Sequence, residues 1–259
     1  MEKVKGARLK DKVVIVTGGA YGIGRSFCLA MADEGAKIVI GDIDVEAAER
    51  TAEEVRAKGS EALAIKTDVS SVQDTLAMAD QTAERFGRID VLVNNAAIFG
   101  RVKISTAPFH ELDLDEWDRV MAVNLKGPFL CSRAVFPFMK AQGGGKIVNI
   151  ASATFFQGTG VMTHYVSSKG GVIGLTRSLA SAMAEYKVNV NCIAPGRTLT
   201  EELSDPALLE RLNAQTPLRK IKRIEYPEDL VGTAIFLASA DSDFITGQTI
   251  VVDGGVIMH

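Results

Sequence analysis

Short apolar runs rich in β-branched residues recur along the chain. Each is followed by a stretch whose apolar positions return every three or four residues. The runs at residues 12–17, 37–40, 62–67, 89–93, 146–150, 188–193 and 248–252 predict strands. Between them, the 3.6-residue period predicts helices over 23–34, 45–58, 72–86, 114–139, within 161–185, and over 227–240. The stretch 114–139 reads as two helices joined near Val123 and Asn124. Val13-Val14-Ile15-Val16 and Val91-Leu92-Val93 show no polar alternation, so both strand faces are expected to be covered. Strict alternation of such strands with helices predicts a single-domain α/β fold. It would be a doubly wound, Rossmann-like parallel sheet with helices on both faces. No linker, repeat or low-complexity segment divides the 259 residues.

Composition narrows the function classes. With 47% hydrophobic and 24% charged residues, the chain has the make-up of a globule with ample core. A net charge of −3 gives no reason to expect nucleic acid or an anionic membrane as partner. The start, Met1-Glu2-Lys3-Val4-Lys5, has no apolar run of a secretory signal, and no stretch reaches a membrane span. Cys28, Cys131 and Cys192 are odd in number, far apart and without nearby histidines. Buried reduced thiols are expected, with no metal site, and a cytoplasmic location follows.

The first candidate chemistry lies between the first strand and first helix, in Thr17-Gly18-Gly19-Ala20-Tyr21-Gly22-Ile23-Gly24. Glycines there let the backbone turn sharply and approach a pyrophosphate seated at the positive end of a helix. The spacing is G-x3-G-x-G, distinct from the common G-x-G-x-x-G fingerprint. Asp42, ending the second strand, could accept hydrogen bonds from adenosine ribose hydroxyls and repel a 2′-phosphate. No Arg or Lys occurs from Gly18 to Gly24 to welcome that phosphate, so NAD is favoured over NADP. Asp68 could bond the adenine amino group or simply form a turn.

The second is Tyr165-Val166-Ser167-Ser168-Lys169, where helical spacing puts a phenol and an ammonium on one face. A free phenol holds its proton too tightly to exchange it near neutrality, and an adjacent fixed cation favours the phenolate. His164 is expected to line the pocket or face solvent, because adjacent helical residues point apart.

Thr17-Gly18-x-x-x-Gly22-x-Gly24, Asn94-Asn95-Ala96, Asn124, Ser152, Tyr165-x-x-x-Lys169 and Pro195-Gly196, in that order, resemble the short-chain dehydrogenase/reductase family. The likeness runs from about Leu9 to Gly255 and departs at Ala97, where many members carry glycine. Within the family, Thr163-His164-Tyr165 and the ending through His259 are similar to NAD-dependent secondary-alcohol dehydrogenases of the 1-phenylethanol type. The resemblance implies an oxidoreductase acting on CH–OH groups. Tyr165 would be its general acid/base, Lys169 would lower the phenol's pKa and bond the nicotinamide ribose, and Ser152 would bond the substrate oxygen. Asn124 would hold a water linking Lys169 to solvent. It further implies cofactor contacts from Gly18, Tyr21, Gly22, Ile23, Gly24, Asp42, Ile43, Asp68, Val69, Asn95, Ala96, Pro195, Gly196 and Thr198, besides Tyr165 and Lys169. Thr198 is placed against the nicotinamide amide.

Thr154, Phe155 and Met162, with Ser152 and Tyr165, would form a substrate pocket, and Phe99 could join its wall. These large apolar residues favour a hydrophobic alcohol or ketone; packing of the core or of a subunit contact would use them equally well. The alternative substrate is a 3-oxoacyl carrier protein reduced with NADPH. Residues 198–216 read as a lid, or as an amphipathic helix through Leu203, Leu208, Leu209 and Leu212. The family implies a homo-oligomer, tetramer or dimer, with the apolar residues Val172, Ile173 and Leu175 permitting an interface.

Overall fold

The computed structural model describes residues 7–200 and 206–258. Leu203, His259 and the stretch from Met1 to Lys5 lie outside the described residues, as does the side chain of Leu208. Seven parallel strands form one sheet: β1 (Val13–Thr17), β2 (Lys37–Asp42), β3 (Ala62–Lys66), β4 (Val91–Asn94), β5 (Gly145–Ile150), β6 (Val188–Pro195) and β7 (Thr249–Val252). Their spatial order is β3-β2-β1-β4-β5-β6-β7. The chain therefore starts in the middle, winds outward through β3, then crosses back beyond β1 to begin β4. The carboxyl ends of β1 and β4 flank this switch point, where an open parallel sheet leaves a crevice.

Two buried clusters explain the unbroken apolar strands. Val14 and Val16 of β1, Ile38 and Ile40 of β2, and Val91 and Val93 of β4 face one cluster. Val13, Ile15, Val39 and Leu92 face the other. Helices α1 (Gly22–Asp33), α2 (Val45–Ala57) and α9 (Glu228–Ala238) close the first side. Helices α3 (Val72–Phe86), α5 (Gly127–Gln142) and α7 (Thr163–Met183) close the second. Each buried Val, Ile or Leu contributes about 1.5–3 kcal/mol over an exposed one, so each strand is held from both faces.

Local signals set most helix ends. Ser71 caps α3 by accepting the N–H of Asp74 at 3.2 Å, and Gly87 ends it at φ +74°. Asp44 caps α2 through the N–H of Ala47 at 3.1 Å. The expected junction near Asn124 is a single π turn, Ala122–Lys126, between α4 (Leu114–Met121) and α5. One helix exceeds the sequence expectation, the short α6 (Thr154–Gln157), while α8 (Pro206–Gln215) falls within the stretch read as a lid or an amphipathic helix. Of that lid's apolar side chains, Leu212 is buried. One expectation fails. Val172 and Ile173 are buried inside the chain, because α7 packs between the sheet and the helices around α4, so that of the three apolar residues only Leu175 is partly open.

Candidate active site

The turn after β1 is held by the residues that follow β4. Asn95 donates its side-chain amide to the carbonyls of Thr17 (3.1 Å) and Gly18 (2.8 Å). The Thr17 hydroxyl accepts the N–H groups of Asn95 (3.1 Å) and Ala96 (3.2 Å). A Cβ on Gly24 would stand 2.1 Å from the Gly18 carbonyl oxygen, and one on Gly18 would stand 2.8 Å from Ala96 Cα. Asn95 and Gly24 thus brace the turn itself. Tyr21, the N-cap of α1, gives no side-chain cap, and the first turn holds no acidic residue. The positive end of the helix dipole therefore favours an anion there, and the residues present fit a dinucleotide pyrophosphate. Ile23 packs against the core beneath the turn.

At the end of β2, Asp42 accepts the N–H of Ala20 at 3.1 Å and of Asp44 at 3.0 Å. Burial pushes its carboxyl above the usual range, opposed by those two N–H groups and by the Arg101 charge. Ile43 beside it is exposed. Asp68 takes the turn-forming role: its Oδ1 accepts the N–H (2.8 Å) and hydroxyl (2.6 Å) of Ser70. Val69 is buried against Gly127 of α5.

Across the switch point, Tyr165 and Lys169 share the inward face of α7, both buried, beside Ser152 at the end of β5. The Ser152 hydroxyl is near enough to the Tyr165 phenol to favour its ionised form, and Thr154 donates its hydroxyl to Ser152 Oγ at 2.8 Å. Lys169 Nζ donates to the Ile150 carbonyl at 2.8 Å and stands 5.8 Å from the centre of the Tyr165 ring. Burial pushes the Tyr165 phenol up to about 12, with the Ser152 hydroxyl opposing, and pushes Lys169 down to about 8. The lowering of the phenol expected from Lys169 does not govern it here: removal from water dominates at both groups.

Asn124 sits in the π turn with its side chain spent on protein: Oδ1 accepts the Ile98 N–H at 2.7 Å, and Nδ2 reaches the Ile98 carbonyl and Ser168 Oγ at 3.4 Å. Phe99 stacks on the Tyr165 ring, centroids 4.6 Å apart. Phe155 lies against Gly170 of α7 and edge-on to Phe156. Met162 precedes α7 in the left-handed region at φ +58°.

Several pairings bridge distant parts of the sequence and were not expected from it. His164 is fully buried, its Nε2 3.2 Å from Glu116 Oε1, so it does not face solvent. Glu116 Oε1 also accepts the Ser105 N–H at 2.6 Å, tying the loop after β4 to α7. Thr198 donates its hydroxyl to the buried Glu225 at 2.7 Å. That hydroxyl is turned into the fold rather than toward a nicotinamide amide. Glu225 also faces Arg219 at 3.5 Å, and burial pushes its carboxyl up to about 7. Pro195 accepts the Ala153 N–H at 2.8 Å, and Gly196 donates to Val252 at 2.9 Å, fixing the loop after β6. Among the described residues, no His, Cys, Asp and Glu cluster could hold a metal, and no helix is long and apolar enough to cross a membrane.

This arrangement is one that a known family shares, and the chain belongs to it. The short chain dehydrogenase family model matches residues 12–206. Galactitol 2-dehydrogenase of Agrobacterium fabrum is 41% identical over 96% of this chain and 98% of its own. The 3-oxoacyl-(acyl-carrier-protein) reductase of Staphylococcus aureus (strain Mu50 / ATCC 700699) is 39% identical over 95% and 98%. The crystal structure of levodione reductase superposes with a TM-score of 0.89 at 32% identity, covering 95% of this chain and 98% of that one. The protein is thus an oxidoreductase of the short-chain dehydrogenase family, acting on CH–OH groups with a nicotinamide cofactor.

Proposed function

We propose that this protein interconverts a hydrophobic secondary alcohol and its ketone using NAD(H), with Tyr165 as the general acid/base. The observation carrying the proposal is the convergence of Tyr165, Ser152 and Lys169 at the carboxyl end of β5, next to the switch-point crevice. When bound, the nicotinamide supplies or accepts the hydride. The chain's own residues handle the oxygen and its proton. Thr154 donates to Ser152 Oγ, which leaves the Ser152 O–H directed at the substrate oxygen, where negative charge grows during reduction. Tyr165 gives its proton to that oxygen in reduction and takes it back in oxidation. Lys169, anchored on Ile150, holds a positive charge beside the phenolate.

The turn from Gly18 to Gly24 and the first amides of α1 would hold the pyrophosphate. Asp42 would hold the adenosine ribose and Ile43 would cover the adenine. Asp42 is the support for NAD over NADP. Asn124, its side chain fully engaged, would hold a water through its main-chain carbonyl. Phe99, Phe155 and Met162 favour an apolar substrate. Met121, Leu125, Phe129 and Leu175 line an apolar surface trough of about 600 Å³ that would suit subunit contact in a tetramer or dimer.

The test is turnover of an aryl and alicyclic ketone panel with NADH and NADPH. Tyr165→Phe should keep NADH binding while losing at least ~100-fold in kcat; near-normal turnover overturns the assignment. Reduction of a 3-oxoacyl thioester with NADPH is the second reading, favoured by the Staphylococcus aureus relative. A preference for that pair in the same assay would establish it instead.

A further inference from the structure

His164 and Ser168, each one residue before Tyr165 and Lys169, reach from α7 to the helical segment that follows the loop after β4. Ser168 Oγ meets Asn124 Nδ2 at 3.4 Å, and Asn124 Oδ1 accepts the Ile98 N–H at 2.7 Å. His164 Nε2 meets Glu116 Oε1 at 3.2 Å, and that same oxygen accepts the Ser105 N–H at 2.6 Å. The 98–105 stretch of the loop is therefore tied to α7 at both ends, each time through one intervening side chain. Between the ties lies Phe99, its ring stacked on Tyr165 with centroids 4.6 Å apart and planes 28° apart. From Phe99 to Ser105 no residue is buried, so apolar burial does not hold this stretch in place.

The second tie occupies a core position in a costly way. His164 is fully buried, and its Nδ1 meets no hydrogen-bond partner among the described residues. A carboxylate only accepts, so Nε2 carries the hydrogen toward Glu116 and Nδ1 is a buried acceptor left over. An apolar side chain of similar size would fill the space without that cost. What the imidazole supplies is the donor that holds Glu116 against the Ser105 amide.

We propose that His164 and Glu116 are positioning residues for the reaction, acting through Phe99. Their tie keeps the Phe99 ring stacked on Tyr165 as a fixed wall against which the substrate is oriented toward the phenol. This rests on the alcohol–ketone reading above. Without the tie the wall moves, and a bound ketone spends less time in line with the Tyr165 proton.

The experiment compares wild type, His164→Phe, His164→Gln, Phe99→Ala and the His164→Phe/Phe99→Ala double variant, with acetophenone as the probe ketone. His164→Phe keeps the bulk and removes the donor; it should lower kcat about tenfold and leave the nucleotide Kd within about twofold. His164→Gln, whose amide can place a donor where Nε2 stands, should recover most of that loss. In the Phe99→Ala background the His164→Phe change should cost no more than about twofold, because the wall it positions is gone. Hydrogen exchange read by mass spectrometry, without substrate, should be roughly tenfold faster over residues 99–107 in His164→Phe and unchanged in β4 and α7. An undiminished loss in the Phe99→Ala background, no recovery by His164→Gln, or unmoved exchange in the loop overturns the proposal. Should His164→Phe fail to fold by its melting curve, Glu116→Gln decides: it weakens the tie by removing its charge, and should give the same loop-confined exchange with a kcat loss of about threefold. A wild type inactive on every ketone, with loop exchange responding as stated, sinks the alcohol–ketone reading and the positioning role with it. An active wild type with unmoved loop exchange sinks this proposal alone.

Discussion

Glu225 is the sharpest point at which the fold can be tested without any ligand. Its carboxyl is buried beneath the loop after β6, accepting the Thr198 hydroxyl and facing Arg219. Burial pushes it from an ordinary 4.5 up to about 7, with the nearby Asp253 and Asp229 adding to the rise and Thr198 and Arg219 opposing it. The folded state therefore binds this proton more tightly than the unfolded chain. The stabilisation is complete below pH 4.5, falls across the window from 4.5 to about 7, and is absent above it. A difference of about 2.5 pH units corresponds to about 3 kcal/mol. Glu225→Gln keeps an acceptor for Thr198 but cannot ionise. Arg219 remains satisfied, since it also donates to the carbonyls of Arg197 (2.7 Å) and Arg223 (3.0 Å). Relative to wild type, the variant should thus gain about 3 kcal/mol of unfolding free energy between pH 4.5 and pH 8. For a chain of this length the gain amounts to roughly 6–12 °C in Tm. Urea denaturation of both proteins across this range, at fixed ionic strength, measures it. Parallel stability profiles would refute the reasoning, since they would mean the carboxyl titrates alike in both states.

Three further outcomes are expected. Lys169→Met should lower kcat by about 100-fold or more while the protein still folds, because the site loses its fixed cation; steady-state kinetics alongside a melting curve checks both halves. Gly24→Ala should destabilise by about 3 kcal/mol or more, since the new methyl meets backbone 2.1 Å away, and denaturant unfolding reads this directly. Leu92→Ala, at a fully buried site of β4, should cost about 2–5 kcal/mol by the same measurement.

The fold was legible in the sequence wherever local chemistry decides it. Val13 to Val16 read as a strand because helices cover both faces of the sheet, and Ser71 and Gly87 bracket α3 where capping geometry demands them. Tyr165 and Lys169 were legible because helical spacing alone sets their shared face. The pairings that escaped join residues far apart in sequence. Glu116 with His164, Arg101 with Tyr21, and Glu225 with Thr198 meet only after the sheet has assembled. No period or spacing encodes such meetings. The reversed direction of the Tyr165 shift has the same origin, because depth of burial belongs to the tertiary structure. Val172 and Ile173 misled for a related reason: α7 is covered around most of its circumference, so apolar residues there did not mark an outer surface.

Gly24 faces a carbonyl, not a ligand, and that separates ancestry from activity. A descendant that had abandoned chemistry would still retain this glycine, since its backbone could not close otherwise. Ser152, Tyr165 and Lys169 would be the positions free to drift. In a genome survey, the glycine signature would count heirs of the architecture, and the hydroxyl–phenol–amine trio would tell working enzymes from pseudoenzymes.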